Sequence, residues 1–301
     1  MRIWRRGSAG ITASPPRVGR GLFWLSLSVA GVGFLAARAA TGADYEKHIT
    51  AVEKNVRGKG FTVIRQQPFV VIGDEEPTVV RRRAERTVQW AVDKLKQDYF
   101  EKDPEEILDI WLFKDEASYH KHTREMFGIE PGSPFGFYSP ENHALIMNIS
   151  TGGGTLVHEI VHPFVRADFP DCPAWFNEGF ASLYEQSGER NGHIVGYTNW
   201  RLAGLQEAIR GRRLVSFQGL TGMAEGPFYE GKGDYYAQAR YLCYYLQEQG
   251  LLVKFYRTFR AKCRQDPTGF QTLKEVLGEQ DMGAFQKKWE AFVLKLKFPA
   301  P

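Results

Sequence analysis

The spacing of apolar residues changes near residue 174, and this change constrains the fold of the 301-residue chain more than any other feature. Before that point short β-rich runs alternate with helical segments, and after it helical periodicity continues almost to the end. Strands first and helices later predict an α+β fold, with a small N-terminal sheet lobe packed on a helical lobe. Ligands commonly bind between two such lobes, so we expect an active-site cleft there.

The predicted lobes belong to one catalytic domain and meet at residue 187, with residues 44–187 forming the sheet-containing lobe and residues 188–301 the helical lobe. Strands are expected in the apolar runs at 60–72, 107–113, 135–138 and 143–149. Helices are expected from the periodicity at 76–100, 116–127, 174–186, 197–210, 234–249, 251–264, 271–277 and 282–296. A further helix should begin after the glycine run at 151–155.

The first 43 residues differ in composition from the rest. They contain six arginines and no acidic residue, and an uncharged apolar run at 21–36 precedes a stretch of small residues. This layout is typical of a secretory signal peptide, and the alternative is an uncleaved N-terminal membrane anchor. Both interpretations place the protein outside the cytoplasm: secreted, periplasmic, or anchored to the outer face of the membrane.

The net charge of +4 comes from this leader, since its six arginines exceed the net charge and the rest of the chain is net negative. We therefore expect no nucleic-acid partner. The three cysteines, Cys172, Cys243 and Cys263, include no CxxC pair, so a cysteine-based zinc site is not predicted. One disulfide is compatible with an oxidising compartment, and the sequence does not choose its partners.

Residues 158–162 have the sequence His-Glu-Ile-Val-His. On a helix, His158 and His162 lie one turn apart on nearly the same face, so both imidazoles can bind one metal ion. Glu159 is rotated by about 100° from His158, which puts its carboxylate beside the ion as a general base for a zinc-bound water. Pro163 removes a helix hydrogen bond to the Glu159 carbonyl. The expected kink either aims His162 or marks a degraded site, and we favour the first.

A catalytic zinc site takes three protein ligands and leaves one position open for water. Glu178 is the preferred third ligand, because a turn at 169–173 would fold the next helix back onto the histidine pair. Asp168 and Asp171 are also near, but they flank prolines in that turn and suit capping and solvent. The longer motif HExxHxxGxxH is absent, since Val165 and Asp168 occupy its glycine and last histidine positions.

The sequence HEIVH, followed by WFNEGFA at 175–181, resembles the gluzincin metallopeptidases, in particular the peptidase MA-like family. The resemblance extends over about residues 69–256. It implies a thermolysin-like core with proteolytic activity and one zinc ion. It also implies His158, His162 and Glu178 as ligands and Glu159 as the base. The spacing from His162 to Glu178 is shorter than in the thermolysin and aminopeptidase branches, which leaves the subfamily open.

Further residues are candidates for supporting roles. A donor must face the developing oxyanion, and similar enzymes use a tyrosine on a later helix. Tyr236 is the preferred match and Tyr235 the alternative, although both could instead be core residues. Asn177 and Ser182 could orient a metal ligand. If the strand at 143–149 lies at a sheet edge beside the cleft, an extended peptide could pair with it.

The sequence therefore predicts a zinc peptidase that hydrolyses peptide bonds of a peptide or protein substrate with a metal-bound water activated by Glu159. Membrane attachment would occur through the N-terminal segment. Two alternatives are a non-catalytic peptide- or cell-wall-binding module that keeps the fold, and a zinc amidase. Glu159 favours an enzyme, because a binding module does not need a base. The sequence does not define the cleavage specificity or the oligomeric state.

Overall fold

A five-stranded sheet separates two hydrophobic cores. The computed structural model describes residues 40–231 and 234–298. The strands lie in the order β1-β2-β3-β5-β4. They are β1 Thr62–Gln66, β2 Phe69–Gly73, β3 Leu108–Phe113, β4 Gly136–Ser139 and β5 Ala144–Asn148. The three inner strands are parallel to one another, and β1 and β4 are antiparallel strands at the two edges.

The inner strands are apolar along their whole length because both faces of the sheet are covered. Every residue of β2, β3 and β5 is buried. Alternate side chains point to opposite faces, so Val71 and Ile110 enter the larger core, while Val70 and Trp111 enter the smaller one. The smaller core is completed by residues of α1 (Gly42–Val56) and α4 (Glu116–Phe127).

The larger core joins the other face of the sheet to the remaining helices. Between β2 and β3, these are α2 Pro77–Arg83, a π-helical segment Ala84–Gln89 and α3 Trp90–Asp98. After it they are α5 Gly153–Asp168, α6 Ala174–Leu183, α7 Arg201–Arg210, α8 Phe217–Thr221, α9 Glu225–Glu230, α10 Asp234–Glu248, α11 Leu252–Lys262, α12 Phe270–Leu277 and α13 Met282–Lys295. A small hairpin of β6 Ser187–Arg190 and β7 His193–Gly196 follows α6.

The mixed α+β class predicted from the sequence is confirmed. Buried residues from β2 and from α13 belong to the same core, so the sheet and the C-terminal helices share their apolar interior. The division at residue 187 stays a prediction. Helix α1, the β6–β7 hairpin, α8 and α9 were not expected from the periodicity.

Two local features bear on the site. The strand expected at 143–149 lies inside the sheet, because β5 is paired with β3 on one side and with β4 on the other. The edge position therefore belongs to β4, and the condition set for peptide pairing at residues 143–149 is not met. Helix α5 runs from Gly153 through Pro163 to Asp168 without interruption.

The remaining expectations concern the leader and the cysteines. Most of the predicted signal peptide or anchor, residues 1–39, lies outside the described residues. Within the described part, none of the helices combines the length and the apolar character needed to cross a bilayer. Cys172, Cys243 and Cys263 have free thiols.

Candidate metal centre

Helices α5 and α6 bring together the three side chains predicted to bind a metal. His158 and His162 lie on α5, Glu178 lies on α6, and one ligand atom from each lies within 4.8 Å of the other two. Glu178 Oε2 is 3.5 Å from His158 Nε2, and Glu178 Oε1 is 3.9 Å from His162 Nε2. Tetrahedral zinc, with ligands about 2 Å from the ion, places its ligand atoms roughly 3.3 Å apart. The three side chains therefore form a group that can hold one metal ion, at separations somewhat wider than these.

The turn between the two helices explains why these residues meet. Phe169 at the end of α5 and Trp175 at the start of α6 are both buried, which anchors the turn in the larger core. Asp168, an alternative ligand, instead accepts hydrogen bonds from Tyr256 at 2.8 Å and Arg260 at 2.5 Å. It therefore ties the end of α5 to α11. Asp171 is exposed to solvent.

The first histidine has a carboxylate behind it that the sequence analysis did not identify. His158 Nδ1 lies 3.6 Å from Oε1 of Glu185, which is buried two residues after the end of α6. Arg201 donates to both oxygens of Glu185, at 2.8 and 2.6 Å, and the Asn199 amide donates to one at 2.8 Å. The 3.6 Å separation exceeds a hydrogen bond, and His158 Nδ1 has no hydrogen-bond partner among the described residues, so Glu185 acts on the imidazole as a fixed negative charge.

The carboxylate of Glu185 is in turn placed by a buried arginine. Arg240 on α10 is completely buried and donates to the carbonyl oxygens of Ser182, Leu183 and Tyr197, at 2.8, 3.3 and 2.5 Å. The first two of these carbonyls belong to the last turn of α6, and the Ser182 carbonyl also accepts the Glu185 N–H over 3.2 Å. The guanidinium therefore fixes the C-terminus of α6, from which the chain leads directly to Glu185.

The second histidine is oriented by a residue that the sequence suggested. His162 Nδ1 and Asn177 Oδ1 are 3.0 Å apart, so Nδ1–H donates to the amide oxygen and Nε2 faces Glu178. The other candidate, Ser182, is fully buried, and its hydroxyl has no hydrogen-bond partner among the described residues. Asn177 therefore orients a ligand, and Ser182 does not.

The histidines and the acid shift each other's protonation in opposite directions. Burial lowers the pKa of His158, but the contact with Glu178 and the nearby charges of Glu159 and Glu185 outweigh it and raise the pKa to about 9. Burial likewise raises the pKa of Glu178, and the two histidines together with Tyr229 lower it to about 2. His158 and Glu178 thus stabilise each other's charged forms.

The centre lies at the base of a cleft with a volume of about 590 Å³. Glu159 and Tyr236 both line the cleft, as do Gly136, Phe137 and Tyr138 of the edge strand β4. Burial and the charge of Glu178 raise the pKa of Tyr236, so its phenol stays protonated near neutral pH.

A second tyrosine in the cleft was not anticipated. Tyr229 on α9 is 46% exposed, and its hydroxyl donates to Glu178 Oε1 over 2.9 Å. The helix α9 has only six residues and includes Pro227, so its apolar periodicity gave no signal in the sequence.

The three side chains could hold one metal ion, and Glu159 and Tyr236 supply a carboxylate and a phenol to the same cleft. Neither a family model nor a curated protein matches this chain. The argument for its function therefore rests on the residues of the centre and on their geometry.

Proposed function

We propose that the chain is a zinc-dependent peptidase of the gluzincin type, with His158, His162 and Glu178 as ligands. The observation that carries the proposal is the convergence of these three side chains within 4.8 Å beside Glu159 in an open cleft. Two histidines and a glutamate are a ligand set used by catalytic zinc, and three protein ligands leave room for water and substrate.

The residues of the cleft have distinct roles in the proposed reaction. Zinc bound at this centre supplies a Lewis acid that polarises the carbonyl of the scissile bond. Glu159 takes a proton from the attacking water and passes it to the leaving amine. Tyr236 donates a hydrogen bond to the carbonyl oxygen as negative charge develops there. Its raised pKa keeps the proton on the phenol for this purpose.

The walls of the cleft support a peptide as the substrate. In this proposal the sheet lobe and the helical lobe form a thermolysin-like cleft, and β4 is the edge strand along one wall. An extended peptide can add to such an edge by backbone hydrogen bonds, which do not depend on its side chains. The leader of residues 1–43 would direct the enzyme out of the cytoplasm, where it would act on peptides or proteins.

The decisive experiment compares the full-length wild type with Glu159→Gln, which removes the base but keeps the shape of the side chain. Both proteins should bind one zinc ion by elemental analysis, and only the wild type should hydrolyse an unfolded protein substrate. Glu207→Gln is a matched control, because Glu207 is exposed on α7, and it should behave as the wild type.

Equal hydrolysis by the wild type and Glu159→Gln would rule out the mechanism. A wild type that binds zinc and a peptide but cleaves neither peptides nor simple amides would favour the binding module. Cleavage of small N-acyl amides without cleavage of peptides would favour the amidase.

A further inference from the structure

We propose that Tyr229 is a positioning residue for the third metal ligand, holding the Glu178 carboxylate so that one of its oxygens turns toward the zinc. The inference rests on the proposed zinc centre and extends it to a residue outside the motif. Tyr229 lies 51 positions after Glu178, on the short helix α9.

The contacts of the two carboxylate oxygens differ. Oε1 of Glu178 accepts the hydrogen bond from Tyr229 over 2.9 Å. Oε2 is 3.5 Å from His158 Nε2, and Oε1 is 3.9 Å from His162 Nε2, so the oxygen without a tyrosine donor makes the shorter approach to a histidine. A carboxylate with one oxygen occupied by a fixed donor presents the other to a metal, because rotation about its terminal bond would break the hydrogen bond. Tyr229 thus selects Oε2 as the ligating atom.

The position of the Tyr229 ring is set by the preceding residue, Phe228. Phe228 is completely buried, with its ring 5.1 Å from that of Tyr236, and so anchors α9 in the larger core. The ring of Tyr229 lies 6.3 Å from that of Tyr236 and forms part of the cleft wall. Phe228 therefore fixes α9, and Tyr229 next to it reaches Glu178.

Tyr229 gives Glu178 a hydrogen-bond partner, as Asn177 gives His162 one. The acid behind His158, Glu185, lies 3.6 Å from Nδ1. Without Tyr229, the orientation of Glu178 would depend on the histidines alone. Partners of this kind typically change metal affinity 10–100-fold when removed.

The test is Tyr229→Phe in the full-length protein, which removes the hydroxyl and keeps the ring. Its zinc dissociation constant, measured by competition with a chromogenic chelator, should rise about 10–100-fold. Tyr236→Phe is the matched comparison, because it also removes a hydroxyl from the cleft, and its zinc affinity should stay that of the wild type.

Two outcomes would overturn the inference. If Tyr229→Phe kept its zinc affinity, the phenol would not position the ligand, whatever happened to kcat. If its urea midpoint, measured with excess chelator, fell sharply together with the zinc affinity, the loss would come from packing and not from the hydrogen bond. A wild type that binds zinc but cleaves no peptide would refute the proposed function, while the affinity comparison would still test Tyr229.

Discussion

At the scale of single residues, two adjacent tyrosines of α10 lie in different surroundings. Tyr236 lines the cleft, and the guanidinium carbon of Arg201 lies 5.5 Å from the centre of its ring. Tyr235 stacks near Phe228, with ring centres 6.3 Å apart, and lies against Gly231. Consecutive helical residues point about 100° apart, so only one of the two can face the metal centre. The geometry favours Tyr236 as the donor to the oxyanion.

Tyr236→Phe should therefore lower kcat about 10²–10³-fold, the usual effect of removing one donor to a developing oxyanion. The zinc content should not change, because the phenol is not a ligand in the proposed centre. Tyr235→Phe is the control on the same helix and should keep wild-type kinetics. Steady-state kinetics at saturating zinc would measure both variants, and equal rates for the two would assign the donor elsewhere.

At the scale of elements, the N-terminus of α5 lies directly against the chain that follows α6. A Cβ atom at Gly154 would overlap the backbone carbonyl oxygen of Glu185. Only glycine allows this approach, and the approach brings Glu185 within 3.6 Å of His158. The glycine run before the motif is thus more than a flexible connection, because Gly154 allows α5 to approach Glu185 closely.

Gly154→Ala should consequently destabilise the protein by about 1–3 kcal/mol, as overpacking against a fixed backbone does. It should also weaken zinc binding, because α5 must move away from Glu185. Gly153→Ala is the matched control, since the nearest atom to its added Cβ would be 3.5 Å away on Thr87, an ordinary contact. Urea unfolding and zinc titration of both variants test this, and similar behaviour of the two would contradict the close-approach argument.

At the scale of the whole molecule, the metal centre lies where α5 and α6 pack into the larger core. Both helices contribute residues to that core, as do the sheet and α10. An ion that joins His158 and His162 to Glu178 links two of these elements and binds the folded state alone. Zinc should therefore raise the stability of the whole fold and not only of the centre.

At a free zinc concentration about 100 times the dissociation constant, the stabilisation should be about 2.7 kcal/mol. For a chain of this size that corresponds to a rise in Tm of roughly 4–5 °C. Differential scanning calorimetry with and without zinc measures the shift. Glu178→Ala should show lower zinc occupancy and little or no shift, and an unchanged shift in that variant would mean that another residue is the third ligand.

Several features followed from the sequence because they depend on local periodicity. His158 and His162 share a helix face at any tertiary arrangement, since their spacing is four residues. The alternation of β-rich runs and helical segments was sufficient for the α+β class. One unused signal was also local: Asn191-Gly192, between β6 and β7, is a typical hairpin turn, and both residues have positive φ, at 53° and 83°.

The sequence by itself determined the helix that carries the histidine pair, the base beside it and the acid on the next helix as the candidate ligand. Only the tertiary structure decided which side chains contact these residues and which strand borders the cleft. Glu185 depends on a close contact between backbones, Tyr229 reaches Glu178 across 51 positions, and β4 becomes the edge through strand order. Such contacts between residues distant in the chain leave no periodic pattern in the sequence, because each is set by packing.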